Sequence, residues 1–236
     1  MKQETALAIF VKTPGYSEIK TRLAKGIGND AALTFHLLSA RCVGEVAMHA
    51  SEWVTLTPYY AVAEKNALHC EPWTTLATLY QGEGKLGARL HTVYSQLQSK
   101  FGTVILLGAD SPQIKTEDLR TAALWLSDRR EIRFCIGPAV DGGFWLLGGN
   151  VPLSSPVLTE MEYSQADTGF QLHQRLAVMG QVKNLRVLSD VDTCDDLALV
   201  TEDLNQLRSP SPSQTEMHEF LKTISLTLSQ RNVGSK

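Results

Sequence analysis

Apolar and polar positions follow two patterns along this chain. Short apolar runs predict buried strands at 7–11, 59–63, 75–80, 103–109, 133–139, 143–149 and 183–189. Between them, longer stretches with apolar residues at helical spacing predict helices at 29–49, 86–98, 116–128, 168–180 and 192–207. Alternation of this kind is typical of βα units, so the pattern predicts one α/β domain with a mostly parallel sheet.

Helix boundaries carry signals of their own. Asn29 is predicted as the N-cap of the first long helix, and Thr193 followed by Asp196 resembles a capping box. After Leu207 the segment "RSPSPSQ" interrupts the pattern before a last helix-like stretch at 215–230. We therefore predict a main domain over 1–207, followed by a linker and a C-terminal helical appendage over 208–236.

Composition limits the classes of partner. The chain has 236 residues, a net charge of -3 and a pI near 6.1, which disfavours a nucleic-acid or membrane-surface binder and favours a small-molecule ligand. Its cysteines form no CxxC pair, and its histidines form no HExxH motif. The apolar run before Lys12 is short for a signal peptide, so a soluble cytoplasmic protein is expected. The sequence does not indicate an oligomeric state.

The stretch "QGEGKLG" matches a dinucleotide-binding motif through Gly82, Gly84 and Gly87. About eighty residues precede it, however, whereas a dinucleotide fold normally carries this loop in its first βα unit. A Walker A loop is excluded because Leu86 follows Lys85 where Ser or Thr is required. A glycine-rich turn between a strand and a helix is the competing interpretation.

A basic loop follows the first predicted strand. The segment "VKTPGYSEIKTRL" places Lys12, Lys20 and Arg22 beyond the carboxyl end of that strand, where ligands of open α/β sheets bind. Two ammonium groups and one guanidinium suit a diphosphate. An ordinary solvated basic loop would contain the same residues.

Acidic residues follow three other predicted strands. Asp110 emerges from the most apolar strand, Asp141 precedes the flexible pair Gly142 and Gly143, and Asp192 follows the last strand. Each alone could cap a turn. Three acids at three strand ends, facing a basic loop, suggest a metal and phosphate site.

Taken together, five blocks resemble one family. "IFVKTPGYSEIKTRL", "QGEGKLGARL", "LLGADSPQI", "IGPAVDGGFWLLG" and "DVDTCDDL" are similar in order and spacing to the DUF2064 family, whose members have a glycosyltransferase-A fold and are related to molybdopterin and phospholactate guanylyltransferases. The resemblance covers residues 7 to 205 and implies a single-domain, Rossmann-like α/β/α sandwich of the nucleotide-diphospho-sugar transferase type.

The resemblance also implies site roles. Lys12, Lys20 and Arg22 would bind the donor phosphates, with Lys20, Arg22 and Asp110 acting in catalysis, and Gly82, Gly84 and Gly87 would lie near the nucleotide base. Asp110 and Asp192 would hold Mg²⁺ or Mn²⁺. Asp141, Gly142 and Gly143 would face the acceptor or the sugar. Ser17, Glu18, Lys85 and Ala88 depart from the usual family pattern.

These features predict a metal-dependent transferase that uses a nucleotide-activated donor and a small-molecule acceptor. Glycosyl transfer from a nucleotide-sugar is the leading hypothesis. Nucleotidyl transfer with release of pyrophosphate is the alternative, and a catalytically silent nucleotide-binding protein is the third. The base, the sugar and the acceptor are not indicated by the sequence.

Overall fold

The computed structural model describes residues 4–233, which form a seven-stranded sheet with helices on both faces. The strands are β1 (Thr5–Val11), β2 (Leu56–Val62), β3 (Ala77–Tyr80), β4 (Val104–Gly108), β5 (Arg133–Pro138), β6 (Phe144–Gly149) and β7 (Gln181–Asn184). Their order across the sheet is β3-β2-β1-β4-β6-β5-β7. Only β6 among these strands runs antiparallel to its neighbours. The predicted α/β fold with a mostly parallel sheet is confirmed.

Eight α-helices connect and cover the strands in the described part of the chain. They are α1 (Thr21–Ile27), α2 (Asn29–Ser51), α3 (Leu86–Phe101), α4 (Thr116–Leu126), α5 (Ser155–Thr159), α6 (Thr168–Ala177), α7 (Leu197–Asn205) and α8 (Pro212–Val233). Short 3-10 helices lie at Lys65–Ala67, Glu71–Trp73 and Cys194–Asp196.

The central strand β1 shows how the layers form. Leu7 and Ile9 are buried against the side that carries α2 and α4, whereas Ala6 and Ala8 are buried against α3. Because side chains alternate across a strand, a continuously apolar run can bury both faces at once. This accounts for the near-continuous apolar sequence of β1 and for the three-layer architecture.

The structure differs from the prediction at several element boundaries. Asn29 is the first residue of α2 rather than its cap, because Gly28, with φ 91°, occupies the cap position. The last strand lies at Gln181–Asn184 instead of 183–189, and Leu188 forms only an isolated bridge with Ala139. The short helices α1 and α5 were not predicted, since each is too short for a clear helical period.

At the capping box, the Asp196 carboxylate accepts the backbone N–H of Thr193 at 2.7 Å, which confirms that prediction.

The C-terminal segment packs on the domain. Met217 and Leu221 of α8 are fully buried with residues of α1, α2 and α7. Ser213 in the serine-rich segment donates to Glu45, so this polar residue is hydrogen-bonded within the protein. The domain division at residue 207 stays a prediction.

Within residues 4–233 no helix has the length and apolar character needed to span a membrane. The predicted cytoplasmic location stays a prediction.

Candidate functional site

The candidate site lies at the carboxyl ends of β1 and β4. These strands are neighbours, but the chain leaves β1 toward β2 on one side and places β4 on the other. Such a reversal of strand order opens a crevice in which open α/β sheets bind ligands. Two adjoining cavities, of about 660 and 490 Å³, occupy this crevice and share some of their lining residues.

We call the larger one the basic cavity. Five basic or imidazole side chains line it: Lys12, Lys20, Arg22, His36 and Arg89. Lys12 follows β1, Arg22 belongs to α1 and Arg89 to α3, so the positive charge converges from three elements. Glu18, one of the departures from the family pattern, also lines this cavity.

The loop after β1 is anchored by one carboxylate. Glu64 accepts the backbone N–H of Thr13 at 2.9 Å and the hydroxyl of Ser17 at 2.5 Å. Ser17 therefore fixes the loop through a side-chain bond that glycine cannot make. This gives the unusual residue a structural role.

His36 supports the same loop from α2. Its Nε2 atom lies 2.8 Å from the Lys12 carbonyl oxygen, and its ring meets Trp73 edge to face. Because a carbonyl only accepts, Nε2 must carry the proton. Burial lowers the pKa of His36, so the neutral imidazole is favoured.

The glycines of "QGEGKLG" have different roles. Of the three, Gly84 lines the basic cavity, and the Arg89 Nε atom donates to its carbonyl at 2.9 Å. At Gly87 a Cβ atom would come within 2.2 Å of the Leu158 carbonyl oxygen, so this glycine allows α3 to pack on α5. The stretch is a turn between β3 and α3 rather than the first βα turn of a dinucleotide fold.

Lys20 lines the basic cavity and pairs with two acids that line both cavities. Its side chain is only 7% exposed, and its Nζ atom lies 3.0 Å from Asp110 Oδ1 and 3.7 Å from Asp192 Oδ1. The same ammonium donates to the Val191 carbonyl at 2.5 Å. Arg22 pairs with the other carboxylate oxygen of Asp192, Oδ2, at 3.2 Å. The sequence predicted these residues but not their mutual ion pairs.

We call the smaller one the acidic cavity. Four carboxylates line it, together with Lys12: Asp110, Asp141, Asp190 and Asp192. Burial, together with the smaller effects of the nearby Asp141 and Asp192, raises the pKa of Asp190 to about 6. Sequence reasoning missed Asp190. The alternation in "SDVD" was the available signal, because it places two acids on one side of an extended segment.

Asp141, Gly142 and Gly143 form a turn in the wall of this cavity. The Gly143 N–H donates to Asp141 Oδ1 at 2.8 Å. At Gly142, with φ 87°, a Cβ atom would come within 1.9 Å of the Ala166 carbonyl oxygen. The close approach here is to the protein's own chain, which gives Gly142 a packing role that the sequence did not predict.

The facing segment carries a strained residue. Tyr163, Ser164 and Gln165 line the acidic cavity, and Ser164 has φ 62°. Lys20 and Ser164 are the positive-φ residues other than glycine between residues 4 and 233, and both line the candidate site. Such conformations cost energy and tend to be retained at functional sites.

The acidic residues fit a hard divalent cation by their chemistry. Asp110 and Asp192 already approach one positive charge, and their side chains are 41% and 53% exposed, so their oxygens are accessible from the crevice. Mg²⁺ and Mn²⁺ bind carboxylate oxygens and water. Among the described residues no group of three or more acidic, histidine or cysteine side chains is arranged as a metal site, so water or donor oxygens would complete the coordination.

The structure has an α/β fold of the nucleotide-diphospho-sugar transferase type, with basic and acidic cavities at the switch point of its sheet. A family model, described as an uncharacterized protein conserved in bacteria (DUF2064), matches residues 46–165, just over half of the chain. The chain belongs to the DUF2064 family. A search of curated protein sequences found no match.

Solved structures share the fold. A protein from Desulfovibrio desulfuricans G20, provisionally named a nucleotide-diphospho-sugar transferase, superposes with a TM-score of 0.82 at 22% identity over 98% of both chains. A CMP:2-keto-3-deoxy-manno-octonic acid synthetase complexed with CTP superposes with a TM-score of 0.53 at 12% identity, over 86% of this chain and all of that one. A cytidylyltransferase from Leptospira borgpetersenii superposes with a TM-score of 0.54 at 12% identity, over 96% of each chain.

Proposed function

We propose that this protein is a metal-dependent transferase that uses a nucleotide-activated donor, and that it transfers a glycosyl group from a nucleotide-sugar. One observation carries the proposal: the basic and acidic cavities meet at the sheet's switch point and share Lys12, Asp110 and Asp192. A donor with a diphosphate can therefore lie in the basic cavity while its reacting end faces the acidic one.

The donor phosphates are assigned to the basic cavity. Lys12, Arg22 and Arg89 provide positive charge from three separate elements, which suits the several oxygens of a diphosphate. Gly84 and the turn around it would lie beside the nucleoside, where a missing side chain allows close approach. Because these cations surround an open cleft, they would also stabilise charge that develops on the leaving phosphate.

The acceptor is assigned to the acidic cavity. Asp141 and the segment with Ser164 and Gln165 form its far wall. Asp110 and Asp192, which line both cavities, would hold the divalent cation. When bound there, Mg²⁺ or Mn²⁺ supplies positive charge that offsets the diphosphate.

In the glycosyl reaction an acceptor hydroxyl oxygen attacks the anomeric carbon. The bond from that carbon to the phosphate oxygen breaks, the nucleoside diphosphate leaves with the electron pair, and the acceptor proton passes to a base or to water. The protein's part is to orient the two reactants and to stabilise the leaving diphosphate through Lys12, Arg22 and Arg89.

Nucleotidyl transfer is the second candidate. It is favoured by the structures that share the fold, which include a synthetase complexed with CTP and a cytidylyltransferase. In that reaction an acceptor phosphate oxygen attacks the α-phosphorus of a nucleoside triphosphate, and pyrophosphate leaves. Both reactions use the same charged cavities, so product analysis must distinguish them.

The test is a panel of nucleoside triphosphates and nucleotide-sugars with Mg²⁺ or Mn²⁺. Thermal shift first identifies the donor, because a ligand that binds only the folded state raises the melting temperature. Turnover with candidate acceptors is then followed by the release of nucleoside diphosphate or of pyrophosphate. Nucleoside diphosphate supports glycosyl transfer, and pyrophosphate supports nucleotidyl transfer. Binding without either product would indicate a silent nucleotide-binding protein.

A further inference from the structure

The ammonium group of Lys20 contacts three groups of the protein itself. Its Nζ atom donates to the Val191 carbonyl oxygen and forms ion pairs with the Asp110 carboxylate at 3.0 Å and the Asp192 carboxylate at 3.7 Å. The side chain is 7% exposed, whereas the neighbouring Arg22 side chain is 71% exposed. A lysine kept only for phosphate binding would instead keep its donors free.

The backbone at Lys20 is adapted to this arrangement. Lys20 caps the N-terminus of α1 in the left-handed region, with φ 45° and ψ 43°. Residues with a Cβ atom avoid this region, so the conformation persists only where surrounding contacts compensate. Here the contacts of the Lys20 side chain with Val191, Asp110 and Asp192 compensate for the strained backbone.

Lys20 joins segments that are far apart in the sequence. Asp110 follows β4, Asp192 lies beyond β7, and Lys20 precedes α1. Asp141 and Asp190 add further negative charge in the same cavity. Without a cation between them, Asp110 and Asp192 would repel each other.

We propose that Lys20 is an internal counter-ion and a positioning residue. It holds Asp110 and Asp192 together before a divalent cation binds, and it competes with that cation for the same carboxylates. On cation binding, Lys20 gives up the carboxylates and its ammonium becomes free in the basic cavity that it lines. This inference rests on the divalent-cation part of the proposed function.

The competition has a physical basis. Lys20 Nζ and a divalent cation bound to the same oxygens would be close like charges, so simultaneous binding is disfavoured. A divalent cation attracts the carboxylates more strongly than an ammonium does, and it can displace the ammonium when its concentration is sufficient. The released ammonium can then contact a donor phosphate.

The first experiment measures Mn²⁺ binding calorimetrically, without nucleotide, in wild type, Lys20→Met and Lys25→Met. Lys25 is an exposed residue of the same helix and serves as the matched control. We expect Lys20→Met to bind Mn²⁺ about tenfold more tightly, because one competing charge is removed. In EDTA it should melt below wild type, and Mn²⁺ should restore much of the difference. Lys25→Met should behave as wild type.

Equal or weaker Mn²⁺ binding by Lys20→Met than by wild type would overturn the inference and leave the proposed transferase intact. If neither protein binds Mn²⁺ although nucleotide still binds, the inference falls together with the metal dependence of the proposed function.

A second experiment uses the wild-type protein and does not depend on the folding of a variant. Lysine acylation is followed by mass spectrometry in EDTA and in Mn²⁺, with Lys25 as the internal reference. Lys20 should react slowly in EDTA and several-fold faster in Mn²⁺, because its amine is released from the acids. An unchanged or slower reaction of Lys20 in Mn²⁺ would contradict the proposal.

Discussion

The basic and acidic cavities lie side by side but are built differently. In the basic cavity the charges are carried by long side chains around an anchored loop, and Arg22 remains 71% exposed. In the acidic cavity they are carried by short aspartates on tightly packed backbone, as the contact between Gly142 and Ala166 illustrates. Long cationic side chains can adapt to a phosphate ligand, whereas short carboxylates must be placed by the backbone.

Buried side-chain amides set the backbone of the acidic cavity. Gln113 donates to the Ser189 carbonyl at 2.6 Å, which links the loop after Asp110 to the segment with Asp190. Gln214 of α8 donates to the carbonyls of Pro112 and Ile114. The predicted appendage therefore reaches the loop that carries Asp110.

The largest expected effect is that of Gly142→Ala. The added Cβ atom would lie 1.9 Å from the Ala166 carbonyl oxygen, and φ is 87°. We expect a loss of about 4 kcal/mol in the free energy of unfolding, from a backbone clash added to left-handed strain. Urea denaturation gives the value.

Gly15→Ala is the control for Gly142→Ala. Gly15 has a similar φ of 81°, but a Cβ atom there would meet nothing within 4 Å. The Gly15→Ala variant should lose only about 1 kcal/mol in the free energy of unfolding, which is the cost of the left-handed conformation alone. Equal losses in the two variants would show that the wall of the acidic cavity can move.

Gln214→Leu should have the next largest effect. The substitution leaves the carbonyls of Pro112 and Ile114 without their donor in a buried position, as Gln214 is 3% exposed. We expect a loss of about 2–3 kcal/mol in stability and weaker Mn²⁺ binding, because the Asp110 loop loses its support. Gln206→Leu, at the exposed end of α7, is the control. Unchanged Mn²⁺ affinity would confine Gln214 to a role in stability.

Lys12→Met tests the basic cavity. Lys12 is exposed and lines both cavities. Its replacement should weaken donor binding about 10- to 100-fold, equivalent to ~1.5–3 kcal/mol for a charge-assisted bond, with little change in stability. Titration calorimetry with the donor found by thermal shift measures the affinity. Lys100→Met is the matched control, because the Lys100 ammonium lies over the ring of Phe101 and does not line either cavity. Wild-type affinity in Lys12→Met would remove Lys12 from the donor site.

Much of this arrangement could be predicted from the sequence. The apolar runs predicted β1, β4 and β5 and placed Lys12, Asp110 and Asp141 beyond the carboxyl ends of these strands. Local patterns could not show that Lys20 would pair with Asp110 and Asp192, because the three residues come from segments brought together only by strand order. They also could not show that Gly142 packs on Ala166, since a pair of glycines is compatible with several backbone conformations.

The smallest expected effect is on the pH dependence of stability, through His36, which supports the loop after β1. Burial lowers the pKa of His36 from its ordinary value of 6.5, so the folded protein keeps the imidazole neutral. Below about pH 6.5 the unfolded chain binds a proton there that the folded protein does not, and stability must fall as the pH falls.

His36→Gln keeps a donor for the Lys12 carbonyl but cannot be protonated, so it should flatten the loss of stability between pH 7 and 5. It should also lower stability slightly at pH 8, because the edge contact with Trp73 is lost. Melting temperatures of wild type, His36→Gln and the exposed control His69→Gln across this range measure the difference. If His36→Gln and wild type lose stability in parallel on acidification, His36 does not carry the pH dependence, and the rigidity of the basic loop rests on Glu64 and Trp73 instead.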